Sequence, residues 1–393
     1  MYSTHRISTK SEEAAVRRVM VGAFGKGVKD VIYGKFDFAR LCCGRDWLVF
    51  ARTDDGRIAS SINTIPSPVY IDGVPVPHAG IGEVGTLPDY RKQGMATACL
   101  KECHRLFLER DIHLSSLSPF AYYFYRMSGW EIGGSVLTAE AVPEAFCDWD
   151  GAELTDDDPG EPAAVMALYA RHFAKYNGST VRSALWWKRY PFLFASGSLR
   201  GAYIAGGDGA PLAGCIYRED PAAKHLAIYE LYFGSAADFR MLMGSVKKRF
   251  PDYGLTLSLP ADTRVFDAMD NPRLLKRTVS AGHQFRVHCP EKALTYLKPR
   301  GCGCLSFSIA DPFEESPRRF TVRWDGPYPE ILPWNGINPV ETTIQRFSQL
   351  YNGSVRINEE NRRDCVSCDE GAVHLLQDLQ PVNGAYRGPG EPG

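Results

Sequence analysis

Val84-Gly85-Thr86-Leu87-Pro88-Asp89-Tyr90-Arg91-Lys92-Gln93-Gly94-Met95-Ala96 is the stretch on which the reading of this chain turns. Upstream, Ala79 to Leu87 reads as a strand that Pro88 stops. Downstream, Ala96, Cys99, Leu100, Cys103 and Phe107 recur at helical spacing, and Lys101, Glu102 and Arg105 take the other face. The pattern predicts an amphipathic helix from Gly94 to Arg110. A strand–turn–helix junction of this composition is an anion site. The first turn of a helix presents unpaired N–H groups and about half a positive charge. Gly94 lets a diphosphate approach the backbone, Arg91 and Lys92 add positive charge, and small Ala96 keeps the helix start near its sheet. The six residues from Arg91 to Ala96, taken alone, fit a polar loop entering a helix equally well. Their surroundings favour function: a second strand, Ile112 to Leu117, follows, and then a short aromatic helix, Tyr122 to Met127, ended by Gly129.

Working outward, Ser11 to Phe24 is expected to be helical, and Trp47 to Arg52 and Arg57 to Pro66 are expected to be strands. Asp72-Gly73 marks a hairpin turn between Val69–Ile71 and Val74–His78. Gly80-Ile81-Gly82-Glu83-Val84-Gly85 matches a dinucleotide fingerprint by letters only, because a strand end and a proline follow it where a helix would have to open. The charged, breaker-rich run from Asp156 to Pro162 suggests a boundary. Beyond it, a helix (Ala163 to Tyr176), three strands (Gly201 to Ala205, Gly214 to Arg218, His225 to Phe233) and a helix (Ala236 to Phe250) echo the first segment. A second boundary falls near Lys298-Pro299-Arg300-Gly301. After it, Cys304 to Ala310 and Arg319 to Trp324 alternate as in an antiparallel sheet, and Thr342 to Tyr351 is a helix. The Gly/Pro-rich tail, 384 to 393, is expected to be disordered or loosely docked, with nothing to anchor it. The expected fold is mixed α/β, with domains at 1–150, 151–298 and 299–393.

Composition excludes several classes. A 393-residue chain with 44% hydrophobic and 23% charged residues supports ordinary globular cores. A net charge of -1 gives no general attraction to nucleic acid or to an anionic membrane. No apolar run approaches the roughly 20 residues of a membrane span, and Met1 to Lys10 is not a signal peptide. Eleven scattered cysteines read as reduced thiols, which implies a cytoplasmic protein. Cys302-Gly-Cys304 and Cys365-x-x-Cys368 lie too far apart for an ordinary zinc ribbon, so no metal is expected. His104, His283 and His288 are expected to have ordinary structural roles, with His104 on a polar helix edge. Trp186-Trp187-Lys188-Arg189 suits either a substrate-pocket wall or interdomain packing.

The segment from Glu83 to Trp130 resembles the core of the GNAT acetyltransferases, whose R/Q-x-x-G-x-G/A loop binds the coenzyme A pyrophosphate. Val84 to Pro88, together with Phe124-Tyr125-Arg126-Met127-Ser128-Gly129-Trp130, resembles the enhanced intracellular survival (Eis) proteins. Weaker likenesses continue through Glu230-Leu231, Phe285-Arg286-Val287, Ala310-Asp311-Pro312 and Gln349 to Gly353. The resemblance implies tandem GNAT-like domains with mixed central sheets, the second degenerate, followed by a C-terminal sterol-carrier-like α+β domain.

It also implies acetyl-CoA as co-substrate, an aminoglycoside-like or lysine-type amine as acceptor, and a homo-oligomer, a hexamer. Val84, Gly85 and Thr86 would offer backbone N–H groups to the oxyanion. Arg91, Lys92, Gln93, Gly94, Met95 and Ala96 would hold the pyrophosphate, and Tyr125 would be the general acid. The chain's own carboxylate, on Gly393, would be the base, with Glu83 acting through a water as its substitute; the family's bulky aromatic end is absent here. A lipid-binding protein with a degenerate acetyltransferase part, or an acyltransferase using longer acyl-CoA, are the rival readings.

Overall fold

The computed structural model describes residues 1–25, 42–158, 162–188, 199–267, 269 and 271–388. The elements of the N-terminal segment are β1 (Tyr2–Arg6), α1 (Lys10–Phe24), β2 (Leu48–Thr53), β3 (Ile58–Pro66), β4 (Val69–Ile71), β5 (Val74–Val76), β6 (His78–Thr86), α2 (Met95–Glu109), β7 (Leu114–Leu117), α3 (Tyr122–Arg126) and β8 (Glu131–Ile132). The helix period placed α2 to within a residue at each end. Its buried side carries Met95, Cys99, Leu100, Cys103 and Phe107, which pack on Val49, Ala59, Ile62 and Ile81 of the sheet. α1 begins in a reciprocal cap, Thr9 accepting from the Glu12 N–H while the Glu12 carboxylate accepts from the Thr9 N–H. Asp72 and Gly73 both have positive φ, 46° and 75°, as the tight hairpin between β4 and β5 requires.

The chain forms two compact units that do not follow the boundaries expected at 150 and 298. The first contains Met1–Gly134 and His283–Gly384; the second contains Ser135–Gly282 and residues 385–388. Two strands cause the difference. Gln284–Val287 enters the first sheet, whose order is β1-β2-β3-β6-β7, then this strand, then β8. It supplies the antiparallel partner that the far edge of β7 needs, and Phe285 and Val287 are buried on it. Ser135–Ala141 pairs instead with Gly254–Pro260 and Leu275–Ala281 in the second sheet.

The rest of the first unit is a five-stranded sheet with Ile344–Asn352 and Glu370–Leu379 packed on it. The expected antiparallel pairing of Gly303–Ala310 with Arg318–Trp324 is present, but Gly303–Ala310 also pairs in parallel with Pro339–Thr343, so the sheet is mixed.

The second unit repeats the central arrangement of the first. His225–Tyr232 and Gly254–Pro260 run parallel, joined through the helix Ala236–Arg249, as β6 and β7 are joined through α2. The described part of its tail, residues 385–388, is docked. Ala385 bridges Asn177, the Tyr386 N–H donates to Asn177 O at 3.0 Å, and the Tyr386 ring stacks on Phe173 at 5.7 Å. Arg387 donates to Gly178 O at 2.7 Å. The buried Tyr386 ring holds residues 385–387 in place, which the Gly/Pro count around it concealed. Among the described residues, no helix is long and apolar enough to cross a membrane.

Candidate active site

The site begins with one residue out of register. β3 pairs with β6 as Ser61↔Gly85 and then Asn63↔Gly82, so Glu83 and Val84 face a single residue, Ile62. Glu83 takes φ 48°, the left-handed region, and forms a bulge. Its carboxylate accepts from Asn63 Nδ2 at 2.9 Å, which holds the bulge from the neighbouring strand. The parallel pairing of β6 with β7 ends at Ile81↔Leu117, just before the bulge. Beyond that point the two strands part, and among the described residues no strand lies beside the outer edge of β6. Leu87 N–H still donates to Ala59 O on the inner edge at 2.9 Å. Strand alternation then directs the N–H groups of Thr86 and Val84 to the open edge.

The turn after β6 brings α2 to the same opening. Lys92 (φ 61°) and Gly94 (φ 81°) adopt left-handed backbone, and Gly94 is the N-cap of α2 with no side-chain cap bond. The N–H groups of Met95, Ala96 and Thr97 therefore begin the helix without an intrahelical acceptor. A Cβ on Gly94 would be strained by its φ and would lie 3.0 Å from the Tyr2 hydroxyl. The Arg91 guanidinium, exposed at the rim, donates to Thr86 O at 3.2 Å and to Ala23 O at 3.1 Å, so it ties β6 to the end of α1. Gly85 lets α1 approach: a Cβ there would meet Ala23 Cβ at 3.0 Å.

These elements enclose a cavity of about 630 Å³. All nine residues expected to hold the cofactor line it: Val84, Gly85, Thr86, Arg91, Lys92, Gln93, Gly94, Met95 and Ala96. The sequence reading missed the rest of the lining, which is Ala23, Phe24, Tyr90, Thr97, Phe120 and Phe124. Thr97 was readable as the third residue of a helix N-terminus; Phe24 and Phe120 lie on other elements and carry no such signal.

Tyr125 stands one ring behind this wall. It is buried, and packs edge-on against Phe120 at 5.5 Å and Phe124 at 4.9 Å, both of which line the cavity. Burial pushes its phenol above the ordinary value, and its hydroxyl makes no hydrogen bond among the described residues. Gly393 lies outside the described residues.

His104 is not on a polar edge. It is buried in α2, its Nδ1 2.8 Å from Nδ1 of His288 and its Nε2 3.4 Å from Glu314. One donor order satisfies the chain: Trp130 N–H to Ser115 Oγ, Ser115 O–H to His288 Nε2, His288 Nδ1–H to His104 Nδ1, and His104 Nε2–H to Glu314. Both imidazoles are neutral in that order. Burial holds His104 down at about 4 and His288 well below the ordinary histidine value.

The second unit repeats the parted strands without the cradle. Its parallel pairing ends at Ile228↔Leu257, next to a register shift between Ile216 and Tyr217. Only Phe233, Gly234 and Ser235 separate its strand from its helix, where the first unit has the whole Leu87–Gly94 turn. Ser235 caps the helix and the Asp238 carboxylate occupies its first turn, which repels an anion. Glu230, on the released strand end, is buried against Arg182 at 2.5 Å, and Arg182 lies between Tyr169 and Trp186 at 3.7 and 3.9 Å. Trp186 and Trp187 thus wall a buried ion pair of their own unit.

Comparison with known proteins agrees with this geometry. Residues 4–133 match the profile of an acetyltransferase (GNAT) domain. No curated protein sequence matches the chain. Among solved structures, the chain is similar to a conserved protein of Enterococcus faecalis described as a probable N-acyltransferase, with a TM-score of 0.84 at 19% identity over 98% of this chain and 100% of that one. It is similar to a GCN5-related N-acetyltransferase of Anabaena variabilis, with a TM-score of 0.83 at 15% identity over 98% and 99%. It is also similar to Eis1 of Mycobacterium abscessus, with a TM-score of 0.80 at 17% identity over the full length of both chains. The chain is therefore an enzyme with a GNAT acetyltransferase domain at its N-terminus, and it carries tandem GNAT-like folds with mixed sheets.

Proposed function

We propose that the chain is an acetyl-CoA-dependent N-acetyltransferase that moves an acetyl group to an amine by direct attack on the thioester. One observation carries the reading: the bulge at Glu83 frees the edge of β6 where α2 begins, and the nine expected cofactor residues line one cavity there. The N–H groups of Met95, Ala96 and Thr97, with Lys92 at the rim, would hold the diphosphate. The open edge at Val84 and Thr86 would hold the pantetheine amides and present N–H groups to the oxyanion. Bound acetyl-CoA supplies an acyl group activated as a thioester. Tyr125, kept protonated by burial, is assigned the proton for the departing thiolate. Glu83 and the Gly393 carboxylate are the two candidates for the base.

An Eis-type chain, a cytoplasmic location and a homo-hexamer belong to the same reading, and light scattering on the purified chain tests the last. The lipid-carrier alternative has less support: the cavity enclosed by Leu294, Phe307, Phe347 and Leu376 in the C-terminal core is about 20 Å³, room for about one water and not for a lipid. The experiment is acetyl-CoA titration of the wild type and of Arg91→Glu with Gly94→Glu. Loss of binding in the doubly substituted chain is expected; wild-type affinity there would remove the turn from the site.

A further inference from the structure

Resting on that reading, we infer that the acceptor is an arylalkyl primary amine with a single charge, and that Phe24 and Phe120 form its platform. Both rings line the cavity, yet they are 50% and 72% exposed. Large aromatics left in water at the mouth of a pocket mark a surface meant to be covered. Phe120 does not swing freely: it packs on Phe124 at 5.5 Å and edge-on against Tyr125 at 5.5 Å, so its outer face is held toward the opening. Tyr123 and Met127 extend the same apolar surface along α3, 71% and 61% exposed.

The charge at the mouth selects the amine. Among the described residues lining the cavity there is no carboxylate, and in that reading the cations Arg91 and Lys92 are paired by the cofactor diphosphate. A polyamine or polycationic sugar would bring several ammonium groups to a wall whose described lining has no carboxylate to pair the extra ones. A monoamine with an aromatic body brings one, and its ring covers the exposed phenyl faces. The same environment assists the chemistry. An amine with an ordinary pKa of about 10 loses its proton more readily where burial is apolar. The neutral nitrogen then forms its bond to the thioester carbonyl carbon. The C–S bond breaks, and the proton released by the nitrogen ends on the thiolate, giving amide and free coenzyme A.

The test uses the full chain with acetyl-CoA, 2-phenylethylamine and spermidine as acceptors, and released thiol as readout. Expected is kcat/KM for 2-phenylethylamine at least roughly tenfold above that for spermidine. Phe120→Ala should lower kcat/KM for 2-phenylethylamine by roughly tenfold, largely through KM, and Phe120→Leu should restore part of it. The dissociation constant of acetyl-CoA should change little in either variant. A preference for spermidine, or full activity of Phe120→Ala, with acetyl-CoA binding intact, overturns this inference alone. Absence of acetyl-CoA binding by the wild type overturns it together with the reading beneath it.

Discussion

Replacing Gly129 by alanine should cost far more stability than one methyl group suggests. Gly129 follows α3 with φ 94°, and a Cβ there would stand 1.5 Å from Nη1 and 2.7 Å from Cζ of Arg286. The overlap displaces the Arg286 guanidinium, and full burial leaves it little room to shift while keeping its partners. It is fully buried, donates from Nη2 to both Asp311 oxygens at 2.8 and 2.7 Å and from Nη1 to Ser128 O at 2.7 Å, and lies over the rings of Trp130 and Phe313. Its departure strands a buried carboxylate, at about 3–5 kcal/mol. The left-handed backbone adds about 1 kcal/mol for alanine. The sum, about 4–6 kcal/mol, should lower Tm by roughly 8–24 °C in a unit of this size. Circular dichroism melts and urea titration measure it. In an Arg286→Met/Asp311→Leu background the overlap and the stranded charge are both gone, so Gly129→Ala should cost only about 1 kcal/mol there. A loss below about 1 kcal/mol in the otherwise native chain, or an equal loss in both backgrounds, would refute the reasoning.

Three further outcomes are expected. Burial holds the His104 and His288 imidazoles neutral in the fold, and an unfolded histidine takes a proton near 6.5. Their contribution is therefore intact above about pH 6.5 and is lost as pH falls toward 4; in a proton NMR titration neither imidazole should charge above pH 5, and the urea midpoint should fall between pH 7 and pH 5. Tyr125→Phe should lower kcat while leaving the acetyl-CoA dissociation constant near its wild-type value; wild-type turnover would take Tyr125 out of the mechanism. Tyr386→Ala removes a buried ring stacked on Phe173 and should destabilise the second unit by about 3–5 kcal/mol, with hydrogen exchange rising at Asn177 and Ser179; unchanged exchange would mean that the tail is not held there.

Local chemistry made part of this molecule legible. The period of Ala96, Cys99, Leu100, Cys103 and Phe107 fixed α2, Asp72-Gly73 fixed a hairpin, and Pro88 ended β6. The turn proposed to hold an anion was readable as a unit because its parts are consecutive, and they line one cavity. What the sequence hid depends on distant partners. His104 looks peripheral on a helical wheel because His288, which buries it, comes from the strand inserted beside β7. Gly129 reads as a helix stop, and the arginine that requires it lies far down the chain. Gln284–Val287 and Ser135–Ala141 exchange places between sheets, so boundaries drawn from breaker-rich runs miss both. The bulge at Glu83 went unread within the expected strand, because it is set by which β3 residue it faces.

The central claim is that the N-terminus of α2 holds a diphosphate. Thr97→Glu isolates it, because Thr97 is an exposed third residue of α2 lining the cavity, and a carboxylate there favours the helix by about 0.3–1 kcal/mol while repelling an anion. Isothermal titration of coenzyme A into the wild type and this variant, with melting curves for both, is the direct measurement. The account predicts a variant at least as heat-stable as the wild type whose affinity for coenzyme A falls by roughly tenfold or more, about 1.4 kcal/mol. Equal affinity in a folded variant would contradict it.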